Sequence, residues 1–158
     1  LGIQLVIFEL NNEEYGIEIT SVTGILRARK FKVQTLPGSD KSIEGIINLR
    51  GSVNYIFNLR TKFNFEEKEI SDESKFIMLN SHNSTIGFVV DEVTDIVKLN
   101  DEMVQPAPNF TGGINTNYII GIGTLEDRMI IILDPEEIFA KELGGAVNYK
   151  YSNDTALT

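Results

Sequence analysis

The sequence predicts an all-β fold. Short β-branched and aromatic runs recur along the chain, polar or glycine-containing turns separate them at short spacing, and helical periodicity is scarce. About ten strands arranged in this way specify a barrel or a sandwich and not βαβ units, and periodicity alone leaves the choice between those two open.

Residues 4–10 and 14–19 flank Asn11-Asn12-Glu13 as a hairpin, and residues 22–29 follow as an apolar and basic strand. Pro37-Gly38 marks a turn, because proline fixes φ and glycine permits the chain to return. A brief helical turn is expected at residues 39–44. Strands at 45–50 and 52–58 are separated by Gly51, and the charged stretch 66–73 reads as a solvated loop. Residues 75–80 and 85–90 bracket Ser81-His82-Asn83-Ser84, the clearest hairpin in the chain. A strand at 93–99 leads into a Pro/Gly/Asn-rich connector at 105–116. The last hairpin pairs 118–124 with 128–133 around Leu125-Glu126-Asp127.

The best helix begins at Asp134, with Pro135 at the first helical position and Glu137 completing a capping box. Ile138, Phe139 and Leu143 give it an apolar face, Gly144-Gly145 ends it, and residues 146–158 form a flexible tail beyond a domain spanning 1–145. No internal repeat stands out.

Composition narrows the function. A 158-residue chain needs no covalent staple, since it buries roughly 70% of its unfolded surface. The absence of Cys removes disulfides, thiol nucleophiles and Cys-based zinc sites. A net charge of −9 opposes binding to nucleic acid or to anionic lipid, although Arg27, Arg29, Lys30 and Lys32 form a local basic strand end, solvated or partner-facing. No apolar run approaches the roughly 20 residues of a membrane span. The start reads as a strand and not a signal peptide, and it lacks an initiator Met, so a few residues are expected to precede it; the cytoplasm is the expected compartment.

Chemistry is thinly supported. His82 is the lone histidine, at a hairpin tip, without the orienting group of a triad or a second metal ligand. Asp91 and Asp95 would serve as an acid–base pair only if burial raised one pKa; with Glu92 they read instead as solvated charges guarding strand ends. Gly121-Ile122-Gly123 lacks the third glycine of a phosphate-binding fingerprint and fits a bulge or a close backbone approach. In contrast, Gly45-Ile46-Ile47-Asn48-Leu49-Arg50-Gly51 places one arginine at a tight turn amid apolar residues, where it would serve either a partner or an internal acid.

That segment, continued through Ser52 to Asn58-Leu59-Arg60, resembles the signature of CheW-like domains. Further stretches keep the family's order: Glu14 to Ile19, Val22, the run Ile86-Gly87-Phe88-Val89-Val90-Asp91-Glu92-Val93-Thr94-Asp95-Ile96-Val97, the connector Val104 to Phe110, and Tyr118 to Gly121 with Asp127 to Asp134. The resemblance implies two packed five-stranded SH3-like β-barrels with a short C-terminal helix. It implies a chemotaxis adaptor that joins the cytoplasmic tip of chemoreceptors to the regulatory domain of the chemotaxis histidine kinase, without cofactor, catalysis or direct membrane binding. Arg50, with Asn48, Leu49 and Gly51 around it, then carries the protein contact, and Val22 follows as a receptor-facing position. The sequence departs from the family pattern at Tyr55 where proline is usual, Asn58 where aspartate is usual, and Gly24 where an acid is common. A CheW-like domain cut from a receiver-fused adaptor or from the kinase is the alternative within the family, and the helix and polar tail after Leu133 favour a stand-alone chain. An enzyme using Asp91 and Asp95 is the alternative outside it.

Overall fold

The computed structural model describes residues 2–81, 83–108 and 116–143. His82, residues 109–115 of the connector, Gly144-Gly145 and the predicted tail at 146–158 lie outside the described residues.

Eleven described strands form two sheets. They are β1 (Gly2–Leu10), β2 (Glu13–Glu18), β3 (Val22–Arg27), β4 (Ile43–Leu49), β5 (Ser52–Asn58), β6 (Lys75–Ser81), β7 (Ser84–Val90), β8 (Glu92–Asn100), β9 (Val104–Gln105), β10 (Ile119–Leu125) and β11 (Arg128–Leu133). The first sheet runs β8-β1-β2-β11-β10-β9 and the second β3-β6-β7-β5-β4. All ten expected strands are present, and the two-residue β9 adds an eleventh at the start of the predicted connector. The helical turn expected at 39–44 is absent. Asp40 there accepts the Ser42 amide at 2.9 Å, closing a local side-chain turn that competes with helix, and Ile43 already starts β4. A short helix that the sequence reading missed, α1 (Leu59–Lys62), follows β5, while α2 (Pro135–Ile138) starts where expected. Asp134 caps α2 through the Glu136 amide at 3.0 Å, and its own amide goes to the Tyr118 carbonyl, so the reciprocal half of the capping box is not made.

The two sheets are versions of one design. Each has a parallel pair near its middle, β2–β11 in one and β5–β7 in the other, flanked by antiparallel hairpins. The matching extends to single atoms. The Asn58 amide reaches the Ser42 carbonyl at 2.7 Å, and the Asp134 amide reaches that of Tyr118 at 2.8 Å. A Cβ on Gly45 would strike the Gln34 carbonyl, and one on Gly121 the Gln105 carbonyl. Residues Val22-Thr23-Gly24-Ile25-Leu26-Arg27 and Val93-Thr94-Asp95-Ile96-Val97-Lys98 form the equivalent edge strands, each with a register shift after its valine. The chain is therefore a tandem repeat, β1 to α1 and β6 to α2, in which each repeat lends its first hairpin to the other's sheet.

Burial follows from this arrangement. Leu5, Ile7, Leu99, Ile130 and Ile132 fill the first lobe, and Ala28, Ile47, Ile56, Phe76 and Met78 the second. The largest core lies between them: Val6, Phe8, Tyr15, Phe57, Phe63, Ile77, Phe88 and Phe139 pack with neighbours from both sheets. Phe8 meets Phe88 edge-on at 5.5 Å across the lobe boundary, and Phe139 lies 4.9 Å from Phe57. Burial also pushes the Tyr15 phenol up to about 12, with Glu13 adding to the effect.

At one mouth of the first lobe, three inward-facing positions carry charge. Arg128 from β11 donates to Glu14 of the neighbouring β2 at 2.7 Å and to Asp95 of β8 at 3.1 Å, so one guanidinium also ties β11 to a strand that is not its neighbour in the sheet. The Arg128 hydrogen bonds hold the Asp95 carboxyl below the usual carboxylate range.

Two outcomes follow. Phe139→Ala or Phe88→Ala removes a side chain buried between the lobes and should cost about 3–5 kcal/mol in denaturant unfolding, with both lobes lost in one transition. Because Asp95 has a lowered folded pKa, its contribution is present above about pH 4 and is lost as pH falls through the lowered value. Arg128→Ala should therefore lower stability at pH 7 by about 1 kcal/mol and flatten the acid limb of the stability–pH curve.

Candidate interaction site at a hairpin tip

β4 and β5 pair with Leu49 opposite Ser52, leaving Arg50-Gly51 as a two-residue loop. Arg50 has φ 51° and Gly51 φ 89°, the left-handed pair of a type I′ turn. The Asn48 side chain accepts the Gly51 amide at 2.8 Å and pins the turn from one side. Leu49 turns inward against the core of the second lobe. Four of the five residues singled out in the sequence thus form one device: Leu49 anchors it, Asn48 and Gly51 shape it, and Arg50 is presented. Arg50 is exposed and makes no ion pair or hydrogen bond among the described residues. Beside it on the outer face of β5, Val53 is 68% and Tyr55 41% exposed.

Val22 is not brought into this cluster by the sheet. It starts β3, at the opposite edge from β4, and its half-buried side chain packs on the core between the lobes. The other arginine of the motif has a contrary role. Arg60 is buried, and its guanidinium binds Asp91 at 2.6 Å and the Glu66 carbonyl at 2.9 Å. Asp91 also accepts the Asn11 amide at 3.0 Å, which corrects the reading of it as a merely solvated charge. Asn58, standing where the resemblance expects an acid, accepts the Arg60 amide at 2.8 Å as the cap of α1. Tyr55 lies within β5, an interior strand between β4 and β7, where a proline would remove a ladder donor. Gly24 faces open space: a Cβ there meets nothing within 4 Å.

Asp91 and Asp95 are held by different arginines, Arg60 and Arg128, so the acid–base pair is not assembled. A cavity of ~500 Å³ lined by Asn80, Ser81, Asn83 and Glu136 contains neither acid. Among the described residues no helix is long and apolar enough to cross a membrane.

Twin β lobes sharing one core, with a pinned hairpin presenting an exposed arginine, define a scaffold with a surface to present. The comparisons with known proteins agree. The CheW-like domain family matches residues 4–143. The chain is 36% identical over 143 residues to the chemotaxis protein CheW of Klebsiella aerogenes, covering 90% of this chain and 84% of that protein. It is 34% identical over 150 residues to the chemotaxis protein CheW of Treponema pallidum, with coverage of 92% and 87%. The crystal structure of the scaffolding protein TtCheW from Thermoanaerobacter tengcongensis superposes with a TM-score of 0.79 at 29% identity, over 88% of both chains. This chain belongs to the CheW-like family of chemotaxis scaffold proteins, and its two lobes are the family's SH3-like barrels.

Asn48→Ala should cost about 0.5–1.5 kcal/mol by removing the bond that pins the turn. Gly51→Val, forced to a φ of 89°, should cost at least as much. Amide hydrogen exchange confined to β4 and β5 would register either loss.

Proposed function

We propose that this protein is a non-enzymatic chemotaxis adaptor that couples the cytoplasmic tips of chemoreceptors to the regulatory domain of the chemotaxis histidine kinase, with residues 1–145 as the adaptor domain. It works in the cytoplasm, recruited to membrane-associated receptor arrays, and carries no cofactor. The observation that carries this reading is Arg50: a guanidinium raised on a pinned turn, exposed and without an acid partner among the described residues, beside exposed Val53 and Tyr55 on a member of a scaffold family. Arginine and tyrosine, exposed together here, are both enriched among interface hot spots. Lone charges that serve solubility need no such turn. Val22 is the second proposed contact, for the receptor.

Co-sedimentation with a receptor tip fragment and with the kinase regulatory domain tests the reading. Arg50→Ala and Arg50→Glu should weaken binding to at least one of them by about 1–2 kcal/mol while leaving the melting temperature nearly unchanged. Unaltered binding to both would remove Arg50 from the interface. Val22→Asp should reduce receptor binding and, because the side chain packs on the shared core, also lower the melting temperature.

A further inference from the structure

The two repeats match where a short helix meets a hairpin tip, and there their chemistry differs. Asn58 and Asp134 are equivalent caps: each accepts the amide two residues on, from Arg60 at 2.8 Å and from Glu136 at 3.0 Å. Arg60 and Glu136 are therefore counterparts. So are Asp91 and Thr20, each two residues before a matching valine, Val93 or Val22. At one junction Arg60 reaches Asp91 at 2.6 Å, and Asp91 accepts the Asn11 amide of the β1–β2 tip at 3.0 Å. An internal ion pair thus joins helix and tip. At the other junction Glu136 and the β6–β7 tip border the cavity of ~500 Å³, lined among the described residues by Asn80, Ser81, Asn83 and Glu136. Leu10 and Ser81 are the residues that lead into the two tips, and both are buried. Leu10 is apolar, whereas the Ser81 hydroxyl has no hydrogen-bond partner.

We infer that this cavity is a guanidinium site whose occupant is an arginine side chain of a protein partner. The matching junction shows which group this part of the fold accommodates, since Arg60 lies buried there against an acid. At the cavity the helix position carries a carboxylate instead, and no cation lines it among the described residues. Glu136 is exposed, and a carboxylate has about four acceptor sites, so it serves a guanidinium alongside contacts within the chain. The Ser81 hydroxyl supplies a buried polar atom in want of a partner. A planar fork of N–H donors can meet a carboxylate and a hydroxyl at once, which a single ammonium point charge does less well. The Asn80 side-chain oxygen already accepts the Thr85 hydroxyl at 3.0 Å and is not needed. The volume is that of a small-ligand site, and a net charge of −9 favours the approach of a cation. The choice of a partner's arginine rests on the adaptor reading but not on Arg50, which belongs to a different hairpin.

The site is tested first with a free guanidinium. The isotope-labelled full chain is titrated with ethylguanidinium chloride and, as the control, with sodium chloride at equal ionic strength. Saturable amide shifts centred on Asn80, Ser81, Asn83 and Glu136 are expected with the guanidinium alone. Glu136→Gln should weaken this binding about tenfold. Ser81→Ala should weaken it too while holding or raising the melting temperature, because an unpaired buried hydroxyl costs stability. Thr20→Asp combined with Glu136→Arg installs both groups of the matching junction and should abolish it. The parent and Glu136→Gln are then compared for binding to the receptor tip fragment and to the kinase regulatory domain, each measured separately. Glu136→Gln should bind one of the two about tenfold more weakly at an unchanged melting temperature. Shifts that fail to saturate, shifts that persist in Glu136→Gln, or a melting temperature lowered by Ser81→Ala overturn the site. Parental binding of both partners by Glu136→Gln overturns the partner's arginine as occupant while leaving the adaptor reading intact. A parent chain that binds neither partner overturns the adaptor reading, and the partner's arginine falls with it.

Discussion

The apolar layer shared by the two lobes is the constraint on which the rest of the structure depends. β1, β6, β7 and β11 each face a lobe interior on one side and the shared core on the other: Leu5 and Ile7 turn inward while Val6, Phe8 and Leu10 turn to the junction. Strands buried on both faces read as continuous apolar runs, so alternation cannot set their register. Glycines and short loops do it instead. Gly16 and Gly87 face the lobe interiors, where a Cβ would crowd Leu5, Ile7 and Ile130 in one lobe and Met78 and Ile56 in the other. Two-residue loops at Asn11-Asn12 and Arg50-Gly51 leave no slack for a slip.

On this rigid frame, ionic groups are distributed by task. Arg60 with Asp91 fastens α1 and the following loop to the end of β7, and Arg128 with Glu14 and Asp95 closes the first lobe. Lys62 pairs with Glu142 and ties the two helical segments together. Each of these cations is at least partly buried and committed to the protein's own carboxylates, where losing one partner would strand a charge. Arg50 stands apart because its turn holds the backbone and leaves the guanidinium unspent. The pinned backbone spares a partner the ordering of the turn, while the exposed Arg50 side chain still gives up its rotamer freedom on meeting an anion.

Much of this was legible in the residues. β-branched runs and polar breaks located ten strands, Pro135 located α2, and the Gly121-Ile122-Gly123 stretch proved to be the close backbone approach expected of it. What stayed hidden depends on distance along the chain. Nothing near Arg60 in sequence shows that its acid is Asp91, and Asn58-Leu59-Arg60 reads as the end of a strand because α1 is a single turn held by its cap. The repeat was present in outline, with Val22-Thr23 and Ile25 echoed by Val93-Thr94 and Ile96, and Val33-Gln34 by Val104-Gln105. Its core positions interchange apolar residues freely, as Ile86 for Tyr15 and Phe88 for Ile17, so identity is sparse until the two sheets are laid side by side. The tip residues were found because glycine and asparagine at a turn are local signals.

The exchange of hairpins between repeats has a consequence for how the chain is made. β1 and β2 are made before the rest of this fold, yet their neighbours β8 and β11 lie far downstream. At about 5–20 residues per second, the nascent hairpin waits several seconds with Leu5, Val6, Ile7 and Phe8 uncovered on both faces. The acidic residues around its turn, Glu9, Glu13 and Glu14, give this segment the like charge that keeps exposed strands from meeting one another during synthesis.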